Sequence, residues 1–392
     1  MTRKVEAIIK PELLVWARNS AGLSIEEVAK KAKVKPARLE AWESGAKRPS
    51  IPQLRKLCVI YKRPLAVFYL PDPPKTFTVM RDFRRLPGEI AGIESPALRW
   101  EIRRAEYRRD VALDLFQDLE GVVPEFIAAA GTEEDPENLG NRTREILGLK
   151  YEDQILWSGG YDAFARWRAA IEAQGVLVFQ ATEVSLDETR GFSIYKAPLP
   201  VIVVNIKDAI NGRIFTLLHE FTHILLKEGG LCDLIEGAPR PPEEERMEVY
   251  CNRVSGAALV PRDQLLREEI VETIRKRQGP SDEDIGTLAR RYYVSRETIL
   301  RRLLIFDRIT SGFYAAKREQ YRTERERQEK REGGFAPPDQ MALSSVGHTF
   351  ARLVLAGYHQ DKITASDLSD FLELRLKHVP RFEEKVIRRM AR

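Results

Sequence analysis

Cysteine is scarce in this 392-residue chain: Cys58, Cys232 and Cys251 stand far apart, too few and too scattered for a disulfide framework. Such usage fits a reducing compartment. Long apolar runs are missing too. Nothing approaches the ~18 consecutive apolar residues of a membrane span, which excludes a membrane-crossing helix. The opening stretch, MTRKVEAIIKPELL, has neither an apolar h-region nor a small-residue cleavage site. The expectation is a cytoplasmic protein with no membrane partner. Histidine is also rare, five in all, so where those five fall is informative.

What is present describes an ordinary globular protein, with 43% hydrophobic and 31% charged residues. At ~100–200 residues per domain the length suggests two to four units. The net charge of +5 is unevenly spread: residues 1–70 hold a balance of +9 and the remainder −4. A basic module on a mildly acidic body points to an anionic partner for the first 70 residues, most simply nucleic acid.

Residues 11–70 read as five short helices. Leu13, Leu14 and Ala17 share one helix face, and Gly22 ends that helix. Ser24 followed by Glu27 is a capping box opening a helix over 25–32. The tight Lys33-Val34-Lys35 connection leads to a helix over 36–44, with Pro36 in its first turn and Gly45 at its stop. Two short helices joined by about three residues, inside a basic bundle, form the helix-turn-helix arrangement. Pro71-Asp72-Pro73-Pro74 is the clearest boundary in the chain. Helices over about 96–119 and 135–147 follow as a connector. Next come a helix over 161–174, strands over 176–180, 191–195 and 201–205, and helices over 214–227 and 243–259. Glycines 229, 230 and 237 lie between those last two helices. Residues 281–304 and about 345–392 read as helical, and 317–332 as a solvated charge run closed by Gly333-Gly334.

The chemistry concentrates in His219-Glu220-Phe221-Thr222-His223. Four residues apart on a helix, the two imidazoles project from one face, the geometry for two nitrogens on one Zn²⁺. Glu220 is placed to polarise or deprotonate an attacking water. A catalytic zinc takes three protein ligands, and the remaining histidines, His348, His359 and His378, are distant in sequence. Glu248 on the following helix is the leading third ligand. Cys251, one turn on, is a competitor whose plainer reading is a small core residue. A His₂Glu set also holds Mn²⁺. Tyr250 and Tyr195 are candidate transition-state stabilisers, and the strand 191–195 is a candidate edge for an extended substrate.

These residues carry a resemblance. Asn205, the Phe215-to-His223 block and Glu248-Val-Tyr-Cys-Asn252-Arg-Val-Ser-Gly-Ala-Ala-Leu-Val-Pro261 resemble the ImmA/IrrE metallopeptidases. Gly22-Leu-Ser24-x-Glu-Glu-Val-Ala29 and Glu43-x-Gly45-x-x-x-Pro49-Ser50 are similar to the XRE, lambda-repressor-like helix-turn-helix. The resemblance implies a mostly helical α+β chain: a five-helix bundle followed by a compact gluzincin-like domain with a small β-sheet and a helical C-terminal region. The divisions are 1–70 (DNA-binding), 71–154 (connector), 155–275 (metallopeptidase) and 276–392 (C-terminal region). It supports Glu248 as the glutamate ligand, and implies cleavage of a partner regulatory protein such as a transcriptional repressor. Thr222, Cys251 and Val254 depart from the residues common at those places, namely a small residue, Ala and Phe.

In a helix-turn-helix the second helix enters the major groove of double-stranded DNA. Lys35, Ala37, Arg38 and Glu40 stand at its exposed start. Arg38 suits a guanine edge, whereas Lys33, Lys35, Lys47 and Arg48 suit phosphates. A homodimer is expected if the operator is palindromic. A weaker helix-turn-helix echo runs from Asp284 to Leu303 and reads as a structural helix pair. Two other functions stay open. One is a non-proteolytic transcription factor whose metal lobe senses a signal, and the other is an antitoxin-like partner-binding regulator.

Overall fold

In a computed structural model of the chain, the structure describes residues 6–74, 81–82, 95–228, 230–232, 242–274, 276, 278–328 and 336–390. Two compact units emerge, one holding the described residues up to 74 with 95–104, the other holding 81–82 and 105–390.

The first unit is helical: α1 (Pro11–Ser20), α2 (Ile25–Ala32), α3 (Pro36–Glu43) and α4 (Ile51–Tyr61). The expected fifth helix is a short 3-10 turn, Leu65–Tyr69, entered through Pro64. Both arms of the Ser24–Glu27 capping box form, at 2.8 and 3.2 Å. Ser50 and Gln53 repeat the device at the start of α4. Gly22 and Lys33 end their helices in the left-handed region, at φ +67° and +56°. Leu13, Leu14, Val28, Leu39, Leu54 and Leu57 are wholly buried between the helices. A two-pronged Arg18–Glu43 pair, 2.8 and 3.0 Å, ties α1 to the end of α3.

Between the units' sequences lie β1 (Arg81–Asp82) and α5 (Pro96–Glu120), whose residues 96–104 belong to the first unit and the rest to the second. The second unit continues with α6 (Pro136–Leu147), α7 (Tyr151–Gln154), α8 (Gly160–Ala173), β2 (Leu177–Ala181), β3 (Gly191–Ile194) and β4 (Val201–Asn205). Then come α9 (Ile210–Leu225), β5 (Gly230–Cys232), α10 (Pro242–Leu259), α11 (Arg262–Leu266) and α12 (Glu269–Glu272). The chain closes with α13 (Asp282–Tyr292), α14 (Arg296–Ile305), α15 (Ser311–Gln328), α16 (Pro338–His359), α17 (Ala365–Leu372) and α18 (Val379–Met390). Gly229, Gly237 and residues 329–334 of the charge run lie outside the described residues, as does the side chain of Cys232.

The sheet runs β1-β5-β3-β4-β2. β2 lies parallel to β4, and β3 pairs antiparallel with both β4 and β5. This corrects the reading of 191–195 as an edge: β3 has a neighbour on each side, so its backbone groups are already paired. β2, β3 and β4 are buried along their whole length, in keeping with sequences that are mostly apolar and broken only by Gln180, Ser193 and Asn205.

One hydrophobic core serves the second unit from Phe126 to Ile309. It takes Leu139 and Leu147 from the expected connector and Ile285, Leu288, Ile299 and Leu303 from the expected C-terminal region. The divisions at 154/155 and 275/276 therefore do not coincide with packing boundaries. The tightest approach is α6 on α10, where Gly140 admits the neighbouring backbone. A Cβ there would stand 2.5 Å from the Ala257 methyl and 2.9 Å from the Ala258 amide. The buried C-terminal carbonyls of α10, which have no partner within the helix, are met by side chains from three other helices. Arg144 donates to Ala258 (2.7 Å), Gln154 to Leu259 (3.1 Å) and Arg302 to Val260 (3.0 Å). Arg302, 1% exposed, also pairs Glu137 at 2.7 Å.

The helix-turn-helix echo at 284–303 is real as local geometry. Ser281 caps α13, Tyr293 turns at φ +55°, and Ser295 caps α14. It is nevertheless built into the core, and α15 covers the outer side of α14. Arg296 meets Glu324 (3.2 Å), Arg301 meets the Tyr314 hydroxyl (3.0 Å) and Arg318 meets Glu297 (3.3 Å). The described part of the charge run is thus a docked helix, not merely a solvated one.

Candidate metal centre

The centre is made by α9 and α10. α9 is apolar on nearly every side, and twelve of its sixteen residues are buried, which explains why the sequence shows no polar face there. Asp208 sets its start. One carboxylate oxygen accepts from the Ala209 amide at 2.8 Å, the other pairs Arg190 at 2.8 Å, and Arg213 returns a bond to the Asp208 carbonyl. At the end of β4, Asn205 donates to the Thr189 carbonyl (2.9 Å) and accepts from the Lys207 amide (3.0 Å), fixing the loops at that end of the sheet.

Into this apolar helix the sequence places His219, Glu220 and His223, all 0–1% exposed. The two Nε2 atoms face each other at 3.2 Å. Glu248 of α10 turns one carboxylate oxygen to each ring, 3.3 Å from His219 Nε2 and 3.3 Å from His223 Nε2. Among the described residues, these three have ligand atoms that converge closely enough for one ion. A tetrahedral zinc with ligands at about 2.0–2.1 Å has ligand–ligand edges of about 3.3 Å, so the donor set and its spacing fit a divalent ion.

Burial opposes the ionisation of Glu248. With no ion bound and protons on the ring nitrogens that face it, His219 and His223 outweigh burial and hold the carboxyl well below the usual range. The Asn252 side-chain oxygen stands 3.1 Å from His219 Nδ1. An acceptor there keeps the proton on Nδ1 and leaves the Nε2 lone pair directed at the cluster. Asn252 lies one helical turn after Glu248, and that i, i+4 spacing is the signal by which the sequence reveals it. Gly191 of β3 passes close to this helix. A Cβ at Gly191 would meet the Thr216 methyl at 2.5 Å and the Val203 carbonyl at 2.8 Å, with Glu220 Cγ at 3.6 Å.

The remaining expected site residues fall elsewhere. Cys251 is wholly buried and is not among the converging ligands; burial, then the Glu248 and Glu220 charges, push its thiol well up. The Tyr250 reading needs correction. Two residues beyond Glu248, it points away from that side of α10, and its hydroxyl donates to the Glu134 and Gly131 carbonyls at 2.8 and 3.2 Å. Tyr195, just past β3, packs half-buried on the main core. Thr222 fits because its hydroxyl bonds back to the Leu218 carbonyl at 2.9 Å.

In the first unit, Lys33, Lys35, Ala37, Arg38, Glu40, Lys47 and Arg48 are all exposed. The Arg38 guanidinium stands 5.8 Å from the centre of the Trp42 ring. No described helix is long and apolar enough to cross a membrane.

Fold and site together define a helix-turn-helix protein that also carries a metallopeptidase-like domain. The family comparisons say the same: residues 14–68 match the helix-turn-helix family, and residues 171–304 match the IrrE N-terminal-like domain, a peptidase family. The comparison with curated proteins gave no match. Among solved structures the chain is similar to a Mycobacterium tuberculosis transcriptional regulator, at 17% identity and a TM-score of 0.31. That match covers 50% of this chain and 51% of the other, so this chain spans about half that protein's length. The IrrE-like match takes in α13 and α14, which agrees with their place in the core.

Proposed function

We propose that the chain is a transcriptional regulator that binds duplex DNA through α2 and α3 and acts as a metal-dependent endopeptidase on a partner regulatory protein, such as a repressor. The observation that supports the peptidase half is the convergence of His219, His223 and Glu248 within 3.3 Å, with Glu220 between the two histidines on the same helix. Zn²⁺ or Mn²⁺ held by these three would supply Lewis acidity toward a scissile carbonyl and acidify a nearby water. Glu220 takes the proton from the attacking water on a carboxylate oxygen and delivers it to the departing amine. His219, with its proton kept on Nδ1 by Asn252, holds its lone pair toward the ion.

A second reading, a metal lobe that senses a signal and cuts nothing, draws on the burial of all four side chains to 0–1% exposure. Glu220→Gln separates the two. Cleavage of the partner falls by about 10²–10⁴-fold while metal content and DNA affinity persist. Cleavage at the unchanged rate would refute the role given to Glu220.

A further inference from the structure

We propose that a cavity of about 470 Å³ in the second unit, separate from the His-His-Glu centre, binds a small organic anion with an apolar face. The cavity lies between the start of α6, the later part of α10, α11 and the chain just after α14. Arg253, Arg262 and Arg308 line it together with Leu266, Ile305 and Phe306. Its size falls in the range of small-molecule sites.

Three carboxylates also line the wall, Asp135, Glu137 and Asp307, so the charge count alone is balanced. The pairing is not. Asp135 already accepts from the first amides of α6, at 2.9 and 3.2 Å. Glu137 is taken from beneath by Arg302, and Asp307 is paired with Lys276. Among the described residues, Arg253, Arg262 and Arg308 have no ion-pair partner. With Arg302 and Lys276 set against Glu137 and Asp307, and Asp135 held only by backbone amides, the cavity keeps a surplus of two positive charges.

Phe306 stiffens this wall. The guanidiniums of Arg302 and Arg262 stand 4.6 and 5.6 Å from its ring centre. Arg308 is set by its own amide, which donates to the Leu303 carbonyl at 2.8 Å after the left-handed turn at Asp307. Guanidinium forks match phosphate or carboxylate oxygens, and the apolar side takes the rest of the ligand.

Calorimetric titration of the full chain with phenyl phosphate, and separately with phthalate, tests this. His219→Ala serves as background so that an ion in the histidine centre cannot hold the anion. The basic first unit contributes equally to every variant, so the reading is the difference from Arg253→Gln/Arg262→Gln/Arg308→Gln. One saturable site for either anion is expected. It weakens about tenfold in each single variant and disappears in the triple. Arg253 and Arg262 are exposed, so the double variant at those two positions provides the test if the triple does not fold. No saturable site, or one unchanged in the variants, overturns the proposal. So does a variant that loses duplex DNA affinity in a chain with no small-anion site, which would assign these arginines to DNA.

Discussion

His219 makes ring-nitrogen contacts on both sides, to Asn252 through Nδ1 and to the cluster through Nε2. Removing the first should loosen the second. Asn252→Ala is expected to lower metal affinity by about 10–100-fold with helix content unchanged, measured by competition against a chelator. His219→Ala removes the ligand itself. Chelation should lower the melting temperature of the wild type and leave that variant unmoved. Bound metal at 100 times its dissociation constant adds about 2.7 kcal/mol of stability. Much of this centre was legible from sequence. The His219–His223 spacing and the apolar residues around it mark a buried helix face, the following helix offers Glu248 as the leading third ligand, and the family resemblance supports that choice. Tyr250 was misread because its helical phase relative to Glu248 was not weighed. Gly191 was missed because the closeness of β3 to Glu220 is a matter of tertiary packing and leaves no local pattern.

Elements were the most legible level, because caps and turns are written in adjacent residues. The α2–α3 and α13–α14 pairs share the same local grammar, a Ser-capped start and a left-handed residue at the turn. What separates them is the neighbour on the outer side of the second helix, which no local signal encodes. The start of α3 is exposed whereas α14 lies under α15. Arg38→Ala is therefore expected to cost about 1–3 kcal/mol of operator affinity, read in a binding titration at fixed salt. The same change at Arg296 should leave DNA affinity alone.

α15 is tied down through Asp282. Hydrogen bonds from Lys317, then from the Tyr321 hydroxyl, hold its carboxyl down to about 2. An acid depressed in the folded state contributes stability that is complete above its ordinary value of about 4. That contribution is lost as pH falls through the folded value. Asp282→Asn should lower the melting temperature at pH 6, and the difference from wild type should shrink steadily as pH falls from about 4 toward 2.

At the scale of the molecule, the described residues fall into two compact units, and the packing of the second runs across the places where the sequence suggests divisions at 154/155 and 275/276. Sequence places boundaries where composition changes, and the core here crosses two such places without interruption. The end of α10 shows why. Its last carbonyls are held by Arg144 and Gln154 from the N-terminal side and by Arg302 from the C-terminal side. Arg302→Ala takes that partner from Glu137 and frees the buried Val260 carbonyl, and should destabilise the fold by about 1–3 kcal/mol, measured by urea unfolding. Arg322, exposed on α15, serves as the control with little effect.

That clamp also bears on how such a chain can be inherited. A recombination breakpoint near 155 would part the end of α10 from Arg144 and Gln154, and one near 275 would part it from Arg302. A breakpoint at either place is expected to succeed only where the incoming segment brings equivalent donors, so Glu248 and the residues that hold its helix are expected to pass on together.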